Sequence, residues 1–495
     1  MNQIRRSFAL ASADRYFAVI VNFITLLFTA RLLTPGEFGV AVIGLSVLVL
    51  AETLHDFGGS AYVVQVDHLT PRRMHAVFTL TFILTFSIAL CLFLSAGPIA
   101  RFYATPGLQG FLQIASICFL LGAFVTPVLA LMRRNFEFGK LAVFNAASTV
   151  TNAIVTIVLA MFDFSYMSFA WGSLIGALVY LSLCWGWGPQ QPIYRFTVEG
   201  WRDLSEYGVY DSLKKLLHYA MDAVPMLAFG KILGADGVGL FQRAMSISRL
   251  PEKTLLAGLT SVLLPTLSAH ARGGGDQKTG LLTSIEYVTA LFWPALVVIA
   301  ILASPIVDIL LGHQWTSTVP LIQIIAVAFL FQLPSSIANS VQIAAGAIRD
   351  SFTLALVTVP PAIALQIYAA THGLEMAAAS LFVICPFTLI SSLVMIRWRV
   401  PFTWSELGAV MKSSAMVTLV TALGPTAVAL YYGGTHDIPV GAGLLGMLTT
   451  PFGWILGLRI ARHPMLHEVI RFINFLLVRI LGETTSKRLL TPWLS

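Results

Sequence analysis

The segment Phe82-Ile83-Leu84-Thr85-Phe86-Ser87-Ile88-Ala89-Leu90-Cys91-Leu92-Phe93-Leu94 lies inside an apolar run that extends from residue 76 to residue 100. Its residues are apolar at odd and even positions alike, whereas a strand of a transmembrane barrel alternates apolar and polar residues. A helix needs about 20 such residues to cross a hydrocarbon core roughly 30 Å thick. Because a single spanning segment must pair its backbone groups internally, this run predicts a transmembrane α-helix.

Similar runs fill most of the chain. Of the 495 residues, 57% are hydrophobic and only 11% are charged, a composition that excludes ordinary soluble domains. The predicted fold class is an all-α polytopic membrane protein with about 14 transmembrane helices. The first run contains Asp14 and Arg15 and is followed by no cleavage site of small residues, so we expect it to be retained. The predicted spans lie near residues 8–32, 38–57, 76–100, 108–131, 141–162, 167–187, 207–231, 237–267, 282–310, 319–346, 352–371, 375–396, 408–431 and 438–460.

The distribution of Lys and Arg predicts the orientation, because cytoplasmic loops of membrane proteins carry an excess of both. With the amino terminus inside, the outer loops hold only Arg31, Arg101 and Lys231. We therefore expect a bacterial inner-membrane protein with both termini in the cytoplasm. The asymmetry and anionic lipid explain the net charge of +7, so no nucleic-acid partner is expected. The inner loops and tails hold Arg5, Arg6, Arg72, Arg73, Arg133, Arg134, Lys140, Arg195, Arg202, Arg272, Lys278, Arg349, Arg397, Arg399, Arg459, Arg462, Arg471, Arg479, Lys487 and Arg488.

The sequence lacks the features expected of an integral-membrane enzyme. A membrane polymerase or ligase should carry a large outer loop with catalytic Arg and His residues, and no predicted outer loop is long enough. A metal-dependent phosphosugar transferase needs clustered Asp residues at an inner loop, where Asp67 and Asp203 stand alone. We therefore expect no catalytic residue, no cofactor and no metal. The four cysteines lie inside predicted spans without ligand-like spacing, so disulfides are not expected either: Cys91, Cys118, Cys184 and Cys385.

An internal repeat organises the chain. Residues 30–33 (ARLL) line up with residues 230–233 (GKIL), and residues 38–40 (FGV) line up with residues 238–240 (VGL). Each copy holds about six spans, and because six is even both copies face the same way. Two parallel six-helix lobes with a cargo site in the cleft between them form a transporter architecture. The predicted boundaries are residues 1–190 and 191–400 for the lobes, 401–462 for an added helix pair, and 463–495 for an amphipathic cytoplasmic tail with a surface helix over 466–481.

Four motifs resemble a known superfamily. The motifs are Ala30-Arg31-Leu32-Leu33-Thr34-Pro35-Gly36-Glu37-Phe38-Gly39, Pro98-Ile99-Ala100-Arg101-Phe102-Tyr103, Arg133-Arg134-Asn135-Phe136 and Leu310-Leu311-Gly312-His313-Gln314-Trp315. They resemble the multidrug/oligosaccharidyl-lipid/polysaccharide exporters, and within that superfamily the Wzx-type polysaccharide flippases that serve rhizobial exopolysaccharides. The resemblance implies outward translocation of a polyprenyl-diphosphate-linked oligosaccharide, and it implies that these motifs are structural turns.

Charged residues inside the predicted spans are the candidate site. Each costs about 2.5 to 3.5 kcal/mol near the centre of a spanning helix, so we expect them to face a wet cleft or a partner. Basic side chains there suit a diphosphate, and a carboxylate beside a histidine suits a coupling proton. Several of these cations lie near predicted span ends, where extension of the side chain to the cytoplasm is an alternative. The predicted diphosphate ligands are Arg15, Lys214, Lys215, Arg243, Arg249 and Lys253, and the predicted ion-coupling residues are Asp14, His218 and Asp222.

Three functions remain after this reasoning. The leading one is a flippase for a lipid-linked oligosaccharide, whose partners are that substrate, membrane lipids, and the polysaccharide polymerase and chain-length machinery. A multidrug or cation antiporter of the same superfamily should have fewer basic residues and more carboxylates in the cleft. A flippase for peptidoglycan precursor shares the cationic cavity and differs only in the outer motifs.

Overall fold

The computed structural model describes residues 2–55, 62–64, 66, 69–189, 193–197, 201–254, 277–344, 348–435 and 438–471, and the described part contains helices and no strand. Its helices are α1 (Asn2–Leu32), α2 (Pro35–His55), α3 (Pro71–Phe102), α4 (Gly107–Arg134), α5 (Phe138–Met161), α6 (Met167–Trp187), α7 (Trp201–Ile232), α8 (Gly234–Ser248), α9 (Gln277–Ile301), α10 (Ala303–Leu310), a 3₁₀ helix (His313–Thr318), α11 (Val319–Ala328), α12 (Gln332–Ala344), α13 (Ile348–Ala370), α14 (Leu374–Ala379), α15 (Leu381–Arg397), α16 (Trp404–Tyr431) and α17 (Val440–Ile460).

Eleven of the helices in these ranges are long and apolar enough to span a membrane, or twelve if one bent pair forms a single span. The all-α polytopic fold class is thereby confirmed, while the count of 14 is not. In the described part of the predicted span 237–267, α8 ends at Ser248 with Arg249 as its C-cap, and residues 255–267 of that span lie outside the described residues. The predicted span 282–310 is likewise divided into α9 and α10.

A third break divides the predicted span 319–346. Helices α11 and α12 are bent by 41° where they meet. Pro334 lies in the first turn of α12, where its missing N–H group does not matter, but it could not continue a helix from α11. The carbonyl of Leu330 in the break accepts a hydrogen bond from Trp293 Nε1 at 2.7 Å. A neighbouring helix therefore pairs a backbone group that the bend leaves open, as a membrane interior requires.

Local sequence signals set two helix starts. Thr70 is the N-cap of α3, where its hydroxyl accepts a hydrogen bond from the backbone N–H of Arg73, and Pro71 occupies the first helical position. Thr403 begins α16 with a capping box in which Glu406 reaches back to the N-cap backbone. Each cap satisfies N–H groups that have no partner within the helix.

The chain forms two compact units. The first contains residues 1–261, 310–321 and 352–384, and the second contains residues 262–309, 322–351 and 385–495. These units do not coincide with the lobes expected at residues 1–190 and 191–400. Helices α7 and α8, expected in the second lobe, belong to the first unit because they pack against α2. The lobe boundaries stay a prediction. The amphipathic tail is helical in its described part up to Arg471, where Ile470 is buried.

Helices α5 and α6 of the first unit pack closely through small residues. A Cβ added at Gly172 of α6 would lie 2.1 Å from Thr156 Oγ1 and 2.8 Å from Asn152 Oδ1, both in α5. A Cβ at Gly122 of α4 would meet no atom within 4 Å. Small residues that let backbones approach are typical of helix contacts in membranes.

These two glycines give a matched test of the packing. We expect Gly172→Ala to lower stability by about 1–3 kcal/mol, because the added methyl overpacks the contact. Gly122→Ala should instead raise stability by about 0.5–1 kcal/mol, since alanine loses less chain entropy in a helix. The apparent melting temperature of each variant in detergent measures the difference. Equal shifts in the same direction would contradict the close α5–α6 contact.

Candidate substrate site

A carboxylate of α7 pairs with an arginine at the C-terminal end of α8, and a lysine follows one turn later. Arg249 Nη2 lies 3.0 Å from Asp222 Oδ1, and the two side chains are 31% and 50% exposed. Lys253 is exposed and lies one helical turn beyond Arg249, whose carbonyl accepts its backbone N–H at 3.1 Å. Asp222 pairs with the guanidinium of the partly buried Arg249, and Arg249 and the exposed Lys253 bring two positive charges within one turn. That arrangement suits a diphosphate, which carries more than one negative charge.

The preceding turns of α7 carry the other predicted residues of this face. His218 is exposed one turn before Asp222, and its ring lies 5.5 Å from that of Tyr219. Lys214 and Lys215 fall on the helical backbone of α7, but their side chains lie outside the described residues. The ion-coupling role of His218 and Asp222 and the diphosphate role of the lysines stay predictions.

Asp14 of α1 contacts α5. Its Oδ2 accepts a hydrogen bond from Asn145 Nδ2 at 2.7 Å, and Asn145 Oδ1 in turn accepts one from the hydroxyl of Tyr180 at 3.2 Å. The other oxygen of Asp14 is buried and has no hydrogen-bond partner in the described part. Arg15 is exposed. Asp14 is therefore partly buried between α1 and α5, and its ion-coupling role stays a prediction.

Arg243 of α8 differs from the expected cavity-wall cation because it is only 3% exposed. Its guanidinium carbon lies 3.7 Å from the centre of the Phe38 ring and 5.3 Å from that of Trp315. Arg243 Nη2 donates to Thr29 Oγ1 at 3.1 Å. In this conformation the side chain is packed between rings and does not face an open cleft.

Two of the family-like motifs pack on each other around this arginine. Trp315 Nε1 donates to the carbonyl of Ala30 at 2.6 Å, and Gln314 Nε2 donates to the carbonyls of Ala30 and Leu33. These carbonyls belong to the end of α1, where the last turn of a helix has no internal donors. The sequence indicated separate turns and missed this contact. A tryptophan and a glutamine beside a turn glycine, Gly312, were the signal that could have suggested it.

A third motif ties α3 to α7 nearby. The hydroxyl of Tyr103 donates to the carbonyl of Leu227 at 3.0 Å. Lys231 Nζ donates to the carbonyl of Phe102 at 2.8 Å and lies 4.6 Å from the centre of its ring. In the remaining motif, Arg134 Nη1 donates to the carbonyls of Val63 at 2.8 Å and Val66 at 2.5 Å, so each of the four motifs joins segments of the first unit that are distant in sequence.

Helices α2 and α8 touch through residues that the repeat relates. A Cβ added at Gly39 would lie 1.7 Å from the carbonyl oxygen of Ala235, and one added at Gly239 would lie 2.0 Å from that of Pro35. The pairs 35 and 235, and 39 and 239, each differ by the repeat offset of 200. Gly39 of α2 approaches residue 235 of α8, and Gly239 of α8 approaches the equivalent residue 35 of α2. Such a reciprocal contact is the pattern of a two-fold axis between the helices.

The described residues contain no group of three His, Cys, Asp or Glu side chains that could hold a metal ion. What they contain is a set of spanning helices with charged side chains at helix breaks. The fold is that of a multi-pass membrane transporter.

The chain is similar to the lipid II flippase MurJ in its inward closed conformation (TM-score 0.71, 14% identity, 90% of this chain and 98% of that one). It is also similar to an inward-facing multidrug resistance MATE transporter of the MOP superfamily (TM-score 0.61, 13% identity, 80% and 96%).

Residues 28–320, more than half of the chain, match the family described as Polysaccharide biosynthesis protein, and the protein belongs to that family. It is 25% identical over 308 residues to the succinoglycan biosynthesis transport protein ExoT of Rhizobium meliloti, covering 62% of each chain. It is 23% identical over 325 residues to the lipopolysaccharide biosynthesis protein WzxC of Escherichia coli, covering 65% of this chain and 66% of that one. Each match spans less than two thirds of the relative's own length. The expected resemblance to polysaccharide flippases and their superfamily is confirmed.

Proposed function

We propose that this protein translocates a polyprenyl-diphosphate-linked oligosaccharide repeat unit from the cytoplasmic to the periplasmic leaflet for exopolysaccharide biosynthesis. The observation that carries the proposal is the similarity to a succinoglycan biosynthesis transport protein over a region that includes α7 and α8. The relatives are transport and biosynthesis proteins of polysaccharides, which favours a transporter over an enzyme.

The diphosphate binds at basic residues of α7 and of the segment that follows α8. Arg249 and Lys253 supply two charge-assisted hydrogen-bond donors within one turn, and Asp222 holds Arg249 in place through its 3.0 Å contact. Lys214 and Lys215 of α7 and the exposed Arg15 of α1 are the further cations of the proposed site. The sugars then lie in a water-accessible cavity and the polyprenyl tail remains in lipid. A multidrug or cation antiporter would not need paired cations at this position.

The membrane potential drives the step in the proposed direction. Moving one negative charge outward across an inside-negative membrane releases about 2.3 kcal/mol per 100 mV, and a diphosphate carries more than one charge. The proposal includes an inner-membrane location with both termini in the cytoplasm, as the Lys and Arg distribution predicts. It also includes two six-helix lobes over residues 1–190 and 191–400, and use of the product by a polymerase and chain-length machinery.

Reconstitution in vesicles tests the proposed function. The vesicles carry fluorescently labelled undecaprenyl-diphosphate oligosaccharide, and an impermeant quencher added outside reports the fraction that reaches the outer leaflet. In protein-free vesicles the quencher should remove only the fluorescence of the label in the outer leaflet. In proteoliposomes it should also remove the fluorescence of the label that starts in the inner leaflet, because the protein moves that lipid outward. An undecaprenyl-monophosphate sugar is the matched control, since it lacks the second phosphate, and should move more slowly.

Parallel assays with lipid-linked peptidoglycan precursor and with a cationic dye separate the alternatives. Transport of the dye alone would contradict the flippase assignment in favour of the antiporter. Faster movement of the peptidoglycan precursor than of the oligosaccharide would instead assign the protein to cell-wall synthesis.

A further inference from the structure

His463 is a buried histidine that the proposed transport step does not use. It follows the end of α17, outside the spanning helices, and its side chain is completely enclosed. Its Nε2 atom is buried and has no hydrogen-bond partner among the described residues. Buried polar atoms without a partner are rare in proteins, so this ring is a candidate for a role of its own.

The turn after α17 directs the histidine inward. Arg462 has a φ of 49°, the left-handed conformation that glycine usually supplies at the end of a helix. The backbone N–H of Arg462 donates to the carbonyl of Arg459 at 3.2 Å. The backbone N–H of His463 donates to the carbonyl of Leu458 at 2.9 Å. In such a turn the residue at this position is commonly apolar and packs on the helix, whereas here it is a titratable ring.

The hydrogen bonds of the ring define its protonation state. His463 Nδ1 accepts a hydrogen bond from the backbone N–H of Met465 at 3.2 Å. Nδ1 therefore carries no proton and Nε2 carries one, which is a neutral tautomer. Burial lowers the pKa of His463 from 6.5 to about 4, so the ring is neutral near neutral pH. A second proton can attach only at Nδ1, where it would face the N–H of Met465 and break that hydrogen bond.

Glu286 of α9 lies within ion-pair distance of the ring. Its Oε1 is 3.7 Å from His463 Nε2, too far for a hydrogen bond, and its side chain is 18% exposed. Tyr287 of the same helix also faces the ring, with the two ring centres 6.2 Å apart. The contact with Glu286 favours a proton on the ring, but burial acts against it and is the larger effect on the pKa of His463.

The other elements around the ring carry their charges on the outside. The exposed charged or titratable residues of the described tail, residues 464–471, and of the end of α17 are Arg459, Arg462, His467, Glu468 and Arg471. Helix α16 contributes the hydroxyl of Ser414, which donates to the carbonyl of Glu286 at 3.2 Å. Among these described residues, Glu286 is therefore the charged group that the ring faces.

The described tail is attached at the same place. Three of its apolar side chains pack against a buried cluster with one residue from each of α9, α16 and α17. The tail residues are Met465, Leu466 and Val469, and the cluster residues are Ala290, Val417 and Leu458. Met465 thus contributes both a packing contact and the N–H group that the His463 ring accepts. A proton on Nδ1 therefore competes with the attachment of the tail.

We propose that His463 Nδ1 is a proton-binding site that controls the attachment of residues 464–471 to α9, α16 and α17. While Nδ1 has no proton, the ring accepts the N–H of Met465 and the tail is docked. A proton taken from water turns Nδ1 from an acceptor into a donor and places a charge in an enclosed site. The tail is then released and the charged ring reaches water. The site does not depend on the transported substrate, so it stands apart from the proposed function.

The dependence on pH follows from the two states of the ring. The released ring has the ordinary histidine pKa of 6.5 and the docked ring has the lowered pKa, so the released state binds the proton more tightly. Docking is strongest at a pH above about 6.5 and weakens as the pH falls toward about 4. At about pH 5.5 the docking equilibrium constant should be about tenfold smaller than at about pH 7.5.

Distances between spin labels test the site in nanodiscs, where both faces of the protein share one pH. Lys412 of α16 and Arg471 of the tail are exposed, and both are replaced by labelled cysteines after the four native cysteines have been replaced by alanine. At about pH 7.5 a single short distance should predominate. At about pH 5.5 a longer distance should appear, and its fraction should grow further at about pH 4.5. An unchanged distribution over this range would overturn the proposal.

Two histidine variants separate the site from a general effect of acid. His463→Asn keeps an acceptor beside the N–H of Met465 but does not titrate, so the short distance should persist throughout the pH range. His467 is exposed on the same tail segment, and His467→Asn should respond to acid like the parent, because an exposed ring takes up a proton whether or not the tail is docked. A response that persists in His463→Asn, or that disappears in His467→Asn, would contradict the assignment.

Nitrogen NMR of the histidine rings keeps the test decisive if the tail of His463→Asn does not dock. In lipid-embedded protein labelled with ¹⁵N-histidine, the signals that are missing from the His463→Asn spectrum belong to His463. At about pH 7.5 they should show a protonated Nε2 and an unprotonated Nδ1. A charged ring at that pH, or the tautomer with its proton on Nδ1, would overturn the proposal. Neither result bears on flipping, so the vesicle assay still decides the proposed function separately.

Discussion

Replacing Lys214, Lys215, Arg249 and Lys253 together with glutamine should lower the rate of oligosaccharide flipping by at least about tenfold. A hydrogen bond to a charged group contributes about 1.5–3 kcal/mol, and about 1.4 kcal/mol corresponds to a factor of ten. The loss of even one such contact to the diphosphate therefore gives a measurable effect. The vesicle assay with the labelled undecaprenyl-diphosphate oligosaccharide measures it.

The control for this variant removes exposed cations elsewhere. Lys140 pairs with Glu137 on the surface at 2.8 Å, and Lys412 of α16 is exposed. The double variant Lys140→Gln and Lys412→Gln should flip at the wild-type rate, since neither lysine lies in α7 or in the segment that follows α8. Unchanged flipping in the four-residue variant would refute the phosphate site while leaving the family membership in place. Equal losses in both variants would show a general charge effect.

Replacing Trp315 with alanine should lower stability by about 3–5 kcal/mol, the cost of emptying a large core position. The side chain is completely buried, its ring packs on Phe38 at a centroid distance of 6.0 Å, and its Nε1 bonds the carbonyl of Ala30. Removing it leaves a cavity, frees that carbonyl and uncovers one side of Arg243. The apparent melting temperature in detergent should fall clearly.

Two further variants show which part of the tryptophan matters. Trp315→Phe keeps a ring over Arg243 and loses the Nε1 donor, so it should cost about 1 kcal/mol for the hydrogen bond plus a small packing loss. Trp398 is 81% exposed, and Trp398→Ala should leave the melting temperature nearly unchanged. A shift for Trp398→Ala as large as that for Trp315→Ala would contradict the assigned role of the buried ring.

The structure gives two of the predicted site residues contacts that the sequence did not specify. Asp222 was expected either to bind a coupling proton or to pair with another residue, and it pairs with Arg249 of the neighbouring helix. Arg243 was expected on a cavity wall and is enclosed by Phe38 and Trp315. Both outcomes depend on contacts between residues that are far apart in sequence, which spacing along one helix does not encode.

Sequence alone determined that the chain crosses a membrane many times as helices and that it resembles polysaccharide flippases, and it predicted a repeat at an offset of about 200. Both predictions follow from local properties of the sequence. The length of each apolar run predicts a span, and similar residues at a fixed offset predict the repeat. Only the tertiary structure decided where the spans break, as at Arg249 and in the segment 329–331, and how the motifs of residues 30–39 and 310–315 meet around Arg243. Such contacts depend on packing between segments that are distant in sequence. A buried carbonyl or charge needs a polar or aromatic partner, and the tertiary fold decides which residue is close enough to be that partner.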